Sequence, residues 1–325
     1  MKKTFVLLLL TGLIALPAGA AKHPAHHPAK PPIKKPAAAA PAPRTAADIL
    51  AQSPDADWRG LDVENTLLMD LQTGQAGQSS TGQVVIELAP RFAPRHAANI
   101  RTLARTGFYD GLAIVRVQDN FVAQWGDPNG DDAALARPLG TADARLPAEF
   151  SVALKGLPLT RLPDVDGWAP LTGFVDGFPV AADPKTGQAW LAHCYGSVGA
   201  GRSDAVDSST GAELYAVIGQ APRALDLNIT VVGRVLKGIE LLASLPRGGP
   251  NMGFYDKPEQ RTGITRVRLL ADVAAAERPA LQVLRTDSKT WGALLDARRN
   301  RSGWFVHSPK HIEICSASVP TRPAK

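Results

Sequence analysis

Short apolar runs rich in strand formers, broken by polar and glycine-rich stretches, recur along this chain, and residues 264–273 alternate clearly. Residues 65–71 (NTLLMDL) and 82–89 (GQVVIELA) are rich in strand formers, and the polar QTGQAGQSST between them reads as a hairpin loop. The period changes in APRFAPRHAANIRTLARTGFYDG. There Ala97, Ile100, Leu103 and Ala104 share a helical face, Pro94 suits the first turn and Gly107 suits the C-terminal stop. Strand character returns at 112–117 (LAIVRV) and 121–125 (FVAQW), around a QDN turn, and again at 196–202, 213–219, 228–235 and 264–273. Residues 237–245 (KGIELLASL) and 287–301 read as helices, the latter with Trp291, Leu294, Leu295 and Arg298 on one face. Residues 45–58 read as a short helix and lead-in. Many short strands without a strand–helix–strand rhythm predict a mainly β fold, a closed antiparallel barrel. Residues 127–190, rich in Pro, Gly and Asp, read as long loops with little regular structure.

The first residues change the picture of where such a domain works. Lys2 and Lys3 precede an apolar run from Phe5 to Leu16, followed by the small residues Ala18-Gly19-Ala20. This is the pattern of a cleavable secretory signal over 1–20, too short for a stable membrane span. Residues 21–44 are mostly Pro, Ala, Lys and His and read as an extended, disordered tether. Localisation is therefore expected to be periplasmic, without stable membrane insertion.

Charge sharpens the class. The chain of 325 residues carries 36 basic and 30 acidic side chains. Seven of the basic ones lie in residues 1–44, which hold no acid, so the remainder has 29 against 30. The folded part has no electrostatic footprint for nucleic acid. The two cysteines, Cys194 and Cys315, suggest a disulfide in an exported protein, the alternative being two buried thiols. DPNGDDAALARP starts like a calcium loop but has Asp132 and Pro138 where Gly and Glu are needed. GSVGAGR lacks a phosphate-loop context, and no nucleophile elbow occurs. No cofactor or metal is expected.

One constellation stands out in 82–130. It combines G-x-V-x-I-E-L, A-P-x-x-x-x-N-I, GFYDG, and Arg116, Phe121, Gln124, Gly126, Asp127 and Pro128 at fixed spacing. Further on come LAHCYGSVGAGR, DSSTGAELYAVI and LDLNITVVGRVLKGIELL. In this order the segments resemble the cyclophilins, peptidyl-prolyl cis–trans isomerases, over roughly residues 65–272, and most of all their divergent exported bacterial members. The resemblance implies an eight-stranded barrel capped by two helices. It divides the chain into a domain at 45–275, with a long loop insertion at about 128–190, and a C-terminal helical extension at 276–325 packed on the barrel.

The resemblance also carries over a site, residue by residue. Arg116 matches the family's catalytic arginine, and Phe121 and Gln124 match two further residues of its groove. Tyr215 stands where a phenylalanine lines the proline pocket, and Leu225 matches a pocket leucine. Val122 replaces a methionine, Glu213 a glutamine, Ala224 a tryptophan of some members, Ile229 a histidine or tyrosine, and Val115 a histidine, so the rim is altered. Rotation about an Xaa-Pro bond meets a barrier of about 20 kcal/mol and breaks no bond. An apolar socket for the ring and one fixed donor for the twisting amide suffice, and arginine is a rigid, permanently charged donor. The expected activity is peptidyl-prolyl isomerisation on unfolded or partly folded proline-containing polypeptides, by a monomer that assists envelope-protein folding. The alternative is a catalytically weak proline-peptide-binding or chaperone module.

Overall fold

The computed structural model describes residues 44–72, 81–130 and 132–324. The expected signal segment, the tether up to residue 43 and the tip of the first hairpin lie outside the described residues. In chain order the described strands are β1 (Trp58–Gly60), β2 (Thr66–Gln72), β3 (Thr81–Leu88), β4 (Ala113–Val117), β5 (Val122–Gly126), β6 (Val152–Ala153), β7 (Thr160–Arg161), β8 (Leu171–Val175), β9 (Phe178–Asp183), β10 (Gln188–Leu191), β11 (Ser197–Ala200), β12 (Leu214–Val217), β13 (Val231–Lys237), β14 (Thr262–Leu269), β15 (Leu281–Leu284) and β16 (Thr321–Pro323). The helices are α1 (Ala46–Ala51), α2 (Pro94–Arg105), α3 (Ile239–Ala243) and α4 (Lys289–Arg299).

Eight strands close an antiparallel barrel in the order β11-β12-β5-β4-β14-β2-β3-β13. Alternation decides what fills it. Leu67, Met69 and Leu71 of β2 and Val84, Ile86 and Leu88 of β3 point inward, with Ala123 and Trp125 of β5 and Leu214 and Ala216 of β12. Ala97, Ile100 and Leu103 of α2 and Leu242 of α3 join the same core, so the two helices cap the barrel as expected. Gly107 ends α2 at φ +71°. The amide of Phe108 donates to the carbonyl of Leu103 (2.9 Å) and that of Gly107 to Ala104 (3.2 Å), a Schellman end that folds Phe108 back into the core. The other end of α2 starts at Ala93, which has no side chain to cap it. Glu149, far along the chain, accepts instead from the amides of Arg95 (3.0 Å) and His96 (2.9 Å).

The expectation of an irregular segment over 127–190 is corrected. Residues 152–191 form a five-stranded antiparallel sheet, β6-β10-β9-β8-β7. Its centre is the hairpin LTGFV-DG-FPVAAD, with Asp176 at φ 52° and Gly177 at φ 89°. Both turn residues are left-handed, as a two-residue type I′ hairpin requires, so Asp-Gly was a readable signal hidden by the surrounding prolines. This sheet has two apolar faces. Val175, Phe178, Val180 and Leu191 pack on Ala89, Phe92 and Val231 at the barrel. Phe174, on the opposite face of β8, packs edge-on against Trp291 of α4, their ring centroids 4.9 Å apart.

That second face explains a further difference. The C-terminal extension was expected on the barrel, but its apolar residues Leu284, Trp291, Leu294, Ile312 and Ile314 cluster with Trp58 and Ile49 of the lead-in, with Leu162 and Phe174 of the insertion, and with Cys194 on the link to β11. No barrel strand contributes to this cluster. A small sheet, β1-β15-β16, binds lead-in to extension, and Arg322 stacks 4.3 Å above the Trp58 ring. Cys194 and Cys315 are joined in a disulfide with Cα atoms 4.9 Å apart. On the barrel side, Arg234 of β13 is buried between Glu87 (2.8 Å), the carbonyl of Gly177 and the Phe178 ring (4.8 Å), which pins the insertion hairpin to the wall.

Candidate functional site

The site lies on the outer surface of β4, β5 and β12. Ile114 of β4 pairs with Trp125, yet Arg116 pairs with Gln124, so β4 spends one residue more than β5 over this step. This bulge resets the alternation. Ile114 and Val117 point into the barrel, and Arg116 is turned outward beside Gln124. The QDN turn then closes with the Phe121 amide on the Gln118 carbonyl (3.2 Å), Asn120 standing at φ 51°. It delivers Phe121 and Val122 to the same outer face as Arg116.

Arg116 is 8% exposed and held on several sides. Its Nε donates to the Met252 carbonyl (2.7 Å), one terminal nitrogen to Gln124 Oε1 (2.9 Å) and the other to Gln118 Oε1. The guanidinium carbon lies 5.6 Å from the Phe121 ring centre and 5.2 Å from that of Phe254. Burial lowers its pKa and the nearby Glu213 counters this, and the group stays a cation. These bonds use three of the five guanidinium N–H groups. Gln124 is fixed in turn, its amide nitrogen donating to Glu213.

Next to this cation lies an apolar floor. Val122, Tyr215 and Val217 form a buried cluster with half-buried Phe121 and Ile229 packed against it. Glu213, Tyr215, Val122 and Ile229 thus join Arg116, Phe121 and Gln124 in one groove. Leu225 and Ala224 sit on the adjoining turn Arg223–Leu225, half-buried and exposed respectively, and neither belongs to the apolar cluster. Beside Arg116 a cavity of about 430 Å³ opens, lined by Val115, Glu213, Gly201 and Phe254 among others.

Sequence reasoning missed the support of this groove. The Tyr215 hydroxyl lies 3.0 Å from His193 Nε2, and His193 Nδ1 lies 2.9 Å from Asp226 Oδ1. Asp226 only accepts, so in the neutral ring Nδ1 carries the hydrogen and Tyr215 donates to Nε2. The second Asp226 oxygen accepts from Arg223 (2.7 Å) and Trp190 (3.1 Å), and Arg223 also grips Asp166 (3.1 Å). Burial pushes the Asp226 pKa up, but His193 and Arg223 outweigh it and hold the carboxyl below its usual range. Burial raises the Tyr215 pKa, which keeps its hydroxyl a donor. Met252 and Phe254, which clasp Arg116 from a loop distant in sequence, carry no local signal at all. His193 carries no local signal either.

Comparison with known proteins agrees with this geometry. Residues 68–269 match the family model of cyclophilin type peptidyl-prolyl cis-trans isomerase/CLD. A probable peptidyl-prolyl cis-trans isomerase of Brucella suis is 41% identical over 96 residues, 28% of this chain and 45% of that protein. Peptidyl-prolyl cis-trans isomerase B of Bacillus subtilis is 42% identical over 60 residues, 18% of this chain and 42% of its own length. The matched region thus spans less than half of these relatives. The cyclophilin AquaCyp293 of Hirschia baltica superposes with a TM-score of 0.67 at 25% identity, covering 87% of this chain and 99% of that one. A bulge-presented arginine over an apolar floor, on a closed eight-stranded barrel with two capping helices, occurs here in a chain that belongs to the cyclophilin-type peptidyl-prolyl cis–trans isomerase family.

Proposed function

We propose that this chain is an exported peptidyl-prolyl cis–trans isomerase that acts in the periplasm on unfolded or partly folded proline-containing envelope proteins. The observation that carries the reading is Arg116, immobilised by Gln118, Gln124 and Met252 beside the floor of Phe121, Val122, Tyr215 and Ile229. A proline ring seated on that floor presents its amide to the guanidinium. As the bond twists, conjugation is lost and the proline nitrogen pyramidalises. An N–H already in place stabilises that nitrogen without reorganising in the transition state. Gln124 is oriented to hold the neighbouring peptide group. Export is supported by the Lys2–Ala20 pattern and by the Cys194–Cys315 bridge, a bond characteristic of oxidising compartments.

A second reading, a proline-peptide-binding or chaperone module with weak catalysis, is favoured by the open rim at exposed Ala224. An isomerisation assay on an Ala-Pro peptide separates the two. The enzyme reading expects a rate above buffer that falls sharply in Arg116→Ala. A wild-type rate equal to buffer, with peptide still bound, overturns it in favour of the binding module.

A further inference from the structure

Past the Phe121 end of the groove lies a second concavity of about 470 Å³. Two large aromatic residues on its wall are turned to solvent, Trp168 at 60% exposure and Tyr195 at 49%. Such a pair on one concave surface is the usual sign of a contact site. Both residues are braced. Asp166 accepts from the amides of Trp168 (2.9 Å) and Ala169 (3.0 Å), and Arg223, itself buried, clamps Asp166 from below. Tyr195 follows Cys194, whose bridge to Cys315 ties this wall to the C-terminal extension. The aromatic rings are therefore offered by an ordered support, and ordering them on contact costs little.

The concavity adjoins the groove at two places. Its wall includes Gly219 and Gln220, directly after Ile218, whose amide donates to the Phe121 carbonyl (2.9 Å). The Gln220 amide also donates to Asn120 of the QDN turn (2.7 Å). On the other side Arg223 leads straight into Ala224 and Leu225 on the rim. A polypeptide whose proline sits on the Phe121–Tyr215 floor would pass over this concavity on leaving the groove. Trp168 comes from the inserted segment and Cys315 from the extension, so both additions to the barrel meet here.

We infer that this concavity is an exosite for an apolar or aromatic side chain of the same substrate polypeptide, several residues from its proline. The inference rests on the groove being the proline site. The test compares the isomerisation of a short Ala-Ala-Pro-Ala peptide with that of longer peptides, each with one central Ala-Pro and a phenylalanine at successive positions on either side. Wild type should prefer some of the longer peptides, mainly through KM. Trp168→Ala and Tyr195→Ala should lose about tenfold in kcat/KM on those peptides and leave the short one unchanged, as expected for an interface side chain whose truncation costs more than about 1 kcal/mol. Trp168→Phe should keep most of the preference. Both side chains are solvent-exposed, and an unchanged thermal midpoint checks that the variants fold. Equal loss on short and long peptides, no loss on either, or an effect confined to self-association overturns the exosite and leaves the groove reading standing. An Arg116→Ala variant as active as wild type overturns both.

Discussion

Arg116 and Gln124 face each other across adjacent strands because β4 carries an extra residue between Ile114 and Arg116. Without that bulge Arg116 would follow strict alternation from Ile114 into the barrel interior, where no acid partners it. With it, the guanidinium stands outside, bonded to Gln124 at 2.9 Å and covered by Phe121 and Phe254. The position of the cation is thus a property of strand register, and it is locked by a second side-chain layer of Gln118 and Glu213.

Arg116→Lys should therefore be damaging although it keeps the charge. Lysine cannot bond Gln124, Gln118 and the Met252 carbonyl together and still face the groove. The expected loss in kcat/KM is roughly ten- to a hundredfold, with a thermal midpoint close to wild type. A proline-peptide isomerisation assay run beside calorimetry checks it, and a lysine variant with the wild-type rate contradicts the role given to the fixed donor.

Tyr215 and His193 should behave as a coupled pair. Tyr215→Phe keeps the apolar floor but leaves His193 Nε2 without its donor, at a cost of about 1–3 kcal/mol. His193→Ala strands both Tyr215 and one face of Asp226, at about 2–4 kcal/mol. Their effects in urea unfolding should be non-additive by at least about 0.5 kcal/mol. Activity in Tyr215→Phe should stay near wild type, while His193→Ala raises KM more than it lowers kcat. Strict additivity would mean that the two do not act on one another.

The Cys194–Cys315 bridge spans a sequence separation of 121 residues. In the chain-entropy picture its loss removes about 4–5 kcal/mol of stability. The double variant Cys194→Ser with Cys315→Ser should unfold at markedly lower denaturant concentration. The bridge joins the segment just before β11, where Cys194 bonds Ser197 (3.1 Å), to the extension, and neither cysteine belongs to the groove floor, so residual activity should survive wherever the fold does.

Acid should weaken two particular contacts. For Glu149, burial raises the pKa, but the bonds from His96 and from the amides of His96 and Arg95 win and hold it below the ordinary value. Asp226 is depressed in the same sense by His193 and Arg223. A carboxyl whose pKa is lower folded than unfolded contributes stability that is complete above its unfolded value, about 4, and is lost as pH falls through the lower folded one. Wild type should lose stability below about pH 4, and Glu149→Gln should flatten that loss while costing about 1 kcal/mol at neutral pH through the weakened helix cap. Denaturant titrations at a series of pH values measure both.

Much of this protein was legible in its sequence because the relevant physics is local. Apolar strand-forming runs such as GQVVIEL and the helical face of Ala97, Ile100 and Leu103 need a barrel core, and Gly107 needs a chain reversal. The motif spacing placed Arg116, Phe121 and Gln124 as groove candidates. The inserted sheet was partly legible too, since Asp176-Gly177 between apolar runs is a hairpin signal, masked by a composition rich in proline. Tertiary structure alone decided the rest. Which face Arg116 takes depends on a bulge that only the partner strand defines. Tyr215 finds His193, and Arg116 finds Met252 and Phe254, across loops whose closure is set by packing of the whole barrel. The extension settles on the insertion because Phe174 and Leu162 offer it an apolar face there, a face that exists only once the inserted strands have paired.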